Sequence, residues 1–220
     1  MLTDRIGRIS ESATLAMTAK TAELRSSGTK VINLSVGEPD FPTPNNIREA
    51  GKLAIDAGHT RYTPGGGTID LKKAASQKMK RDNNLHYEPN EILISCGAKH
   101  SLYNACQVLF QANDEVIIFS PYWVSFPDFV SVTGAKPIFV NTDAKNQFAP
   151  DFNDLKNKIT SNTRGIIINS PSNPTGGVWN NNSILEILEI AKKNDAWVFS
   201  DECYEQLTYD APFQSIATFE

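Results

Sequence analysis

From about residue 90 onward the sequence alternates short apolar runs with longer amphipathic ones. That alternation limits the possible fold more than any other feature. Residues 91–95, 115–119, 136–140, 164–169 and 196–200 are short, mostly apolar and rich in Ile, Val and Phe. They read as strands. Residues 98–110, 122–132, 151–159 and 180–193 lie between them and read as helices. Strands joined through helices run parallel, and a parallel sheet is covered on both faces. The predicted fold class is therefore α/β, a mostly parallel sheet with helices on both faces.

In such sheets ligands bind beyond the carboxyl ends of the strands. Four stretches follow from that rule, and each has a purely structural reading beside the functional one. Cys96-Gly-Ala-Lys99 turns from a strand into a helix. Small residues there let an anion approach free helix N–H groups, although a tight turn needs small residues too. Trp123, after Ser120-Pro-Tyr, could stack on a planar ring or anchor the next helix. Asn169-Ser-Pro-Ser-Asn173-Pro-Thr-Gly176 places two amides in one strand-end loop. A plain turn needs a Gly or Pro, not that whole string, and an amide can donate to an anionic oxygen without itself titrating. Asp201, with Tyr204 three residues on, ends an apolar strand. A carboxylate there is costly without a cation or donor partner, or it caps a following helix.

The first part of the chain reads differently. Residues 13–26 have helical spacing and 31–36 are extended. Pro39, Pro42 and Pro44 make 37–44 a loop. Residues 45–57 and 69–81 read as helices around the loop 63–67. The predicted organisation is an N-terminal arm with part of a small domain over 1–45, and a large, incomplete domain over 46–220.

The bulk properties exclude several classes. The chain has 220 residues, a net charge of -4 and no Lys/Arg block, which argues against nucleic acid as a partner. Cys96, Cys106 and Cys203 have no C-x-x-C spacing, so neither a disulfide framework nor a zinc site is expected. His59, His86 and His100 are scattered and form no metal or triad pattern. No apolar run reaches the ~20 residues of a membrane span, the first residues do not read as a signal peptide, and no Gly-rich nucleotide loop is present. The expectation is a soluble cytoplasmic protein with no membrane partner.

Taken together, SATLAM (12–17), SVGEPDFPTP (35–44), TRYTP (60–64), PYWVSFPD (121–128), NSPSNPTGGV (169–178) and SDECYE (200–205) resemble the class I, fold-type I pyridoxal-phosphate aminotransferases. The likeness is strongest to the bacterial aspartate aminotransferases, some of which also use prephenate. It covers essentially the whole chain. It implies a homodimer that uses pyridoxal 5′-phosphate to move an amino group between an acidic L-amino acid and a 2-oxo acid. Asp201 would pair with the pyridinium nitrogen. Tyr204 and Asn173 would donate to the phenolic oxygen, and Asn173 would also hold the substrate α-carboxylate. Trp123 would stack on the ring, and Gly97, Ala98 and Lys99 would lie at the phosphate. Tyr62 would reach the phosphate of the partner subunit's site. Gly37 would line the substrate pocket through its backbone, with Trp123 beside it. Lys99 would face the substrate's distal carboxylate. Ser120-Pro121 and Asn173-Pro174 are the implied cis bonds. Thr14 matches a threonine of prephenate-active relatives, whereas Ser10 stands where they carry a basic residue.

The resemblance also implies a Schiff-base lysine beyond Glu220, in an S-x-S-K type block, together with phosphate- and carboxylate-binding arginines further on. Two further strands would insert between 91–95 and 196–200. The expectation is that the 220-residue polypeptide alone, Met1 to Glu220, is poorly stable and inactive, with no catalytic residue of its own. Two alternatives stay open. One is another pyridoxal-phosphate reaction, such as a C–S lyase. The other is a lysine-free, non-catalytic binding or regulatory protein.

Overall fold

The computed structural model describes residues 2–9, 12–35, 37–210 and 212–219. The chain forms two compact units. One comprises residues 1–9 and 65–220, the other residues 10–64.

The larger unit is built on four parallel strands in the order β2-β1-β3-β4. They are β1 (Glu115–Ser120), β2 (Lys136–Asn141), β3 (Thr163–Asn169) and β4 (Trp197–Asp201). The helices of this unit are α3 (Ile69–Asn83), α4 (Ala98–Leu109), α5 (Phe126–Ser131), α6 (Phe152–Lys158) and α7 (Asn181–Lys193). Alternate strand residues feed two cores. Val116, Ile118, Ile167 and Phe199 pack with Cys106 and Phe110 of the α4 region and with Phe126, Phe129 and Val130 of α5. Ile117, Phe119, Ile166 and Ile168 pack on the other face with Leu155 of α6 and Ile184, Ile187 and Ala191 of α7. The period-two pattern of the strands is thus used on both faces.

One contact on the first face requires a glycine. A Cβ on Gly165 would lie 2.4 Å from Phe110 Cζ and 2.7 Å from its Cε1. The ring of Phe110 lies against the β3 backbone and also meets Phe199, at 5.2 Å between centroids.

Three of these helices start where the sequence supplies a cap. Thr68, Asp151 and Asn180 each accept a backbone N–H at the start of α3, α6 and α7. Phe110 and Ile159 flank α4 and α6 as extended residues instead of continuing them.

Two expectations need correction. Residues 91–95 do not form a strand among the described residues. Pro89–Glu91 is a 3-10 turn; the Ile92 N–H bonds back to Pro89 O at 3.4 Å, and the Ile94 N–H bonds to Gly66 O at 3.0 Å in a loop, not to a strand. A strand exists only through a neighbouring strand, and none lies alongside this stretch. The helix expected over 122–132 is shorter, Phe126–Ser131, because the residues before it form a turn that the Phe126 N–H closes on Trp123 O.

The second unit contains α1 (Ala13–Ser26) and α2 (Asn45–Asp56). Ser12 Oγ caps α1 by accepting the Leu15 N–H at 3.3 Å. No strand forms over 31–35, and Val36 lies outside the described residues. No residue of α2 is buried, and its Ile47, Leu53 and Ile55 are exposed.

Candidate active site

The strand order reverses direction between β1 and β3, and a cavity of about 260 Å³ opens at the carboxyl ends of β3 and β4. It is lined by Gly97, Ala98, Lys99, Trp123, Asn169, Asn173, Asp201, Cys203 and Tyr204. Seven residues named from the sequence for this site therefore meet in one place. Gly37 and Tyr62 belong to the other unit, where both are exposed. Thr14 is there too, and its carbonyl accepts the Thr18 hydroxyl at 2.9 Å. Ser10 lies outside the described residues. Glu220, the residue beyond which the covalent lysine is expected, also lies outside them, so the description ends at Phe219, just after the 3-10 turn Ile216–Thr218.

Each side chain arrives for a local reason. Asp201 is the last residue of β4, in register with Asn169 of β3. No helix follows it directly, so capping does not explain its position. Its Oδ1 accepts the Cys203 N–H at 3.2 Å, and the Cys203 thiol bonds to the same carboxylate. Burial pushes the Asp201 carboxyl above its ordinary value, and the bonds from Cys203 oppose that only partly. Burial likewise raises the Cys203 thiol, with the charge of Asp201 adding to it.

Asn173 sits in a loop with cis bonds at Ser170-Pro171 and Asn173-Pro174; only the second is implied by the motifs. Asn173 Nδ2 donates to the Tyr204 oxygen at 3.4 Å. The two groups assigned to one oxygen are thus neighbours. Trp123 serves both readings at once. Its ring packs edge-on against Phe126 and Phe129 of α5, at 5.5 and 5.9 Å between centroids. It also borders the cavity, with Lys99 Nζ 5.0 Å from its centroid.

The fourth wall is the start of α4. Gly97 adopts φ 84, a left-handed conformation that favours glycine, and no side chain caps the helix. The space a Cβ would occupy on Gly97 is empty to 4 Å. Uncapped first-turn N–H groups and the positive end of the helix dipole suit an anion. His100 Nδ1 accepts the Cys96 N–H at 3.3 Å and braces this turn. Sequence reasoning assigns neither His100 nor Cys203 a place at this site. Their closeness in the chain to Gly97 and Asp201 is the signal that could have found them. No group of His, Cys, Asp and Glu among the described residues could hold a metal ion.

A larger groove of about 750 Å³ is lined by the 175–180 loop, the start of α7 and residues 207–210, 212 and 214. Its polar lining is mostly neutral, with Asn180, Asn181, Asn182, Gln147 and Gln214. It also holds Asp210, Tyr209 and Trp179, but it has no cation like Lys99 and no uncapped helix start, because Asn180 caps α7.

The family model for aminotransferase class I and II matches residues 29–220. This chain belongs to that family. It is 45% identical over 208 residues to an aspartate aminotransferase of Bacillus subtilis, covering 94% of this chain and 53% of the relative. It is 39% identical over 219 residues to a probable aspartate/prephenate aminotransferase of Aquifex aeolicus, covering 99% and 56%. The structure superposes on Thermus thermophilus aspartate aminotransferase with maleate at a TM-score of 0.95 and 36% identity, covering 100% of this chain and 57% of that one. This family member thus has the fold-type I α/β architecture, and it spans about half the length of the curated relatives it matches. No helix among its described residues is long and apolar enough to cross a membrane.

Proposed function

We propose that the protein containing this chain is a pyridoxal 5′-phosphate-dependent aminotransferase. It exchanges an amino group between an acidic L-amino acid of the aspartate type and a 2-oxo acid, in the cytoplasm and as a homodimer. The observation that carries this reading is the donor set around the 260 Å³ cavity. A desolvated carboxylate, an amide–phenol pair, an aromatic face and an uncapped helix start fit, in turn, a protonated ring nitrogen, a phenolic oxygen, a planar ring and a phosphate. When bound, the cofactor supplies an electron sink for the substrate α-carbon.

The residues of this chain have defined tasks on this reading. Asp201 keeps a proton on the ring nitrogen, because a buried carboxylate gains most from a cationic partner. Asn173 and Tyr204 orient the phenolic oxygen, and Asn173 also holds the substrate α-carboxylate. Trp123 stacks on the ring. Gly97, Ala98 and Lys99 receive the phosphate, with the Lys99 ammonium also available to a distal carboxylate. Gly37 lines the substrate pocket, and Tyr62 serves the partner subunit's site. The arm and small-domain segment spans 1–45, and the cofactor-binding domain begins at 46. The covalent lysine is assigned beyond Glu220, so these 220 residues by themselves are expected not to transaminate.

The test uses the natural gene product that carries this chain. Titration with pyridoxal 5′-phosphate should produce a visible absorption band. Aspartate turnover should then require a 2-oxo acid. Loss of the band would remove the cofactor reading. Turnover of a thioether amino acid without an oxo acid, releasing ammonia and a thiol, would favour a lyase on the same scaffold. A band without any turnover would favour the regulatory reading.

A further inference from the structure

We infer that Asn169 is a positioning residue that locks Asn173 and Asp201 into one frame; the inference rests on the functional reading above. Its single amide makes three bonds to three different places. Oδ1 accepts the Asn173 N–H at 2.7 Å. Nδ2 donates to Pro171 O at 3.2 Å and to Asp201 O at 3.0 Å. The network leaves no choice of amide orientation. A flipped Asn169 would set its oxygen against two carbonyl oxygens and its NH₂ against an N–H.

A structural turn alone does not need this arrangement. An Asn that shapes its own loop accepts one nearby N–H and stops there. Asn169 also reaches across to the neighbouring strand. It stands opposite Asp201 in the β3–β4 register, and the Asp201 carbonyl accepts both the Ser170 N–H, at 3.3 Å, and the Asn169 amide. Those two bonds hold the Asp201 backbone from the β3 side at the point where the ladder ends. The same amide holds the backbone N–H of Asn173. The carboxylate and the amide assigned to the nitrogen and the phenolic oxygen of one ring are therefore spaced by a residue that need not touch that ring. Short supports of this kind fix first-contact groups to the fraction of an ångström that binding geometry demands.

The test compares Asn169→Asp and Asn169→Ser with the parent in the natural gene product. Asn169→Asp keeps the acceptor for the Asn173 N–H. It loses both donors and turns a carboxylate oxygen toward two carbonyls. Asn169→Ser removes the reach without adding charge, and covers the case in which the Asp variant does not fold. Ile168→Val, in the buried core of β3, is a control for stability alone. Three quantities are read: the melting temperature without cofactor, the Kd for pyridoxal 5′-phosphate, and the pH midpoint of the bound cofactor's visible band.

The expected result is a Kd raised roughly tenfold to a hundredfold with a shifted spectral midpoint in the Asn169 variants. Ile168→Val should lower the melting temperature and leave Kd and midpoint unchanged. If the Asn169 variants melt earlier but bind with the parent's Kd and midpoint, Asn169 is only structural and the inference is overturned, while the cofactor reading stands. If the parent itself does not bind pyridoxal 5′-phosphate, the cofactor reading fails first and takes the inference with it.

Discussion

Replacing Gly165 by Ala adds one methyl group where the structure has no room. The new Cβ would sit 2.4 Å from Phe110 Cζ, 2.7 Å from Cε1 and 3.3 Å from Val116 Cγ1. An ordinary carbon contact needs about 3.5 Å or more, so the ring must retreat by roughly 1 Å. It has nowhere to go. Phe110 is 4% exposed and packs on Phe199 behind it. Overpacking of this kind costs about 1–3 kcal/mol. The opposing term is the stiffer unfolded chain, worth about 0.5–1 kcal/mol in favour of Ala. The clash wins, and the net loss is about 1–2 kcal/mol, or roughly 2–8 °C in melting temperature for a chain of this size. Urea melts of the parent, Gly165→Ala, Phe110→Leu and the double variant check the cause. Leu is smaller at the point of contact, so the double variant should be more stable than the sum of the two single losses predicts, by about 0.5 kcal/mol or more. Strictly additive losses, or a Gly165→Ala protein as stable as the parent, would refute the packing argument.

The remaining predictions concern charge. Burial raises the Asp201 carboxyl, so its contribution to stability is full below the unfolded carboxylate pKa and is lost as pH rises through the folded value. Asp201→Asn should therefore melt higher than the parent near neutral pH without cofactor, and lose the stabilisation that pyridoxal 5′-phosphate gives the parent, as scanning calorimetry with and without cofactor would reveal. Glu205 behaves oppositely. Burial pushes its carboxyl up, but bonds from Lys78 and from Asn83 Nδ2 (3.0 Å) outweigh that and hold it below its ordinary value. Its stabilisation is thus present above the unfolded pKa and lost as pH falls through the folded one. Glu205→Gln should cost about 1 kcal/mol at pH 7, a modest figure because the Lys78 side chain is 36% exposed and water screens the pair, and the deficit should close on acidification in urea melts. Lys99→Met leaves the core untouched and should keep stability within about 0.5 kcal/mol, while weakening a dicarboxylate inhibitor more than a monocarboxylate one in competition assays. Equal weakening of both would remove Lys99 from distal-carboxylate recognition.

The sheet was legible in the sequence because its signal is local. Val116 and Ile118 face one core, Ile117 and Phe119 the other, and that alternation can be read from a few consecutive residues. Residues 92–95 carry the same apolar signal and fail to become a strand, because pairing is not a property of the segment. Leu93 is 63% exposed there, with no neighbouring strand to cover it. Gly165 was equally opaque. A strand glycine reads as a weak position until Phe110, far away in sequence, is seen lying across it. At the site, residue types at strand ends located the cavity correctly, since the end of a parallel strand is fixed by topology. Which polar group faces inward and which is already bonded could not be read. Asn169 and Asn173 are both amides in one loop, and only the hydrogen bonds tell frame from contact.

That difference carries the functional argument further than the motifs do. Helices α1, α3, α6 and α7 begin under side-chain caps, and Asn169 spends both ends of its amide on the protein itself. Around the cavity the pattern reverses. Asp201 is desolvated with one backbone donor, Asn173 and Tyr204 meet only at 3.4 Å, and α4 starts with no cap on a left-handed glycine. Free first-turn donors, a desolvated carboxylate bonded only within its own turn and an aromatic face, gathered beside a fully bonded amide, are the energetic form of a site held ready for a polar, planar, anionic ligand.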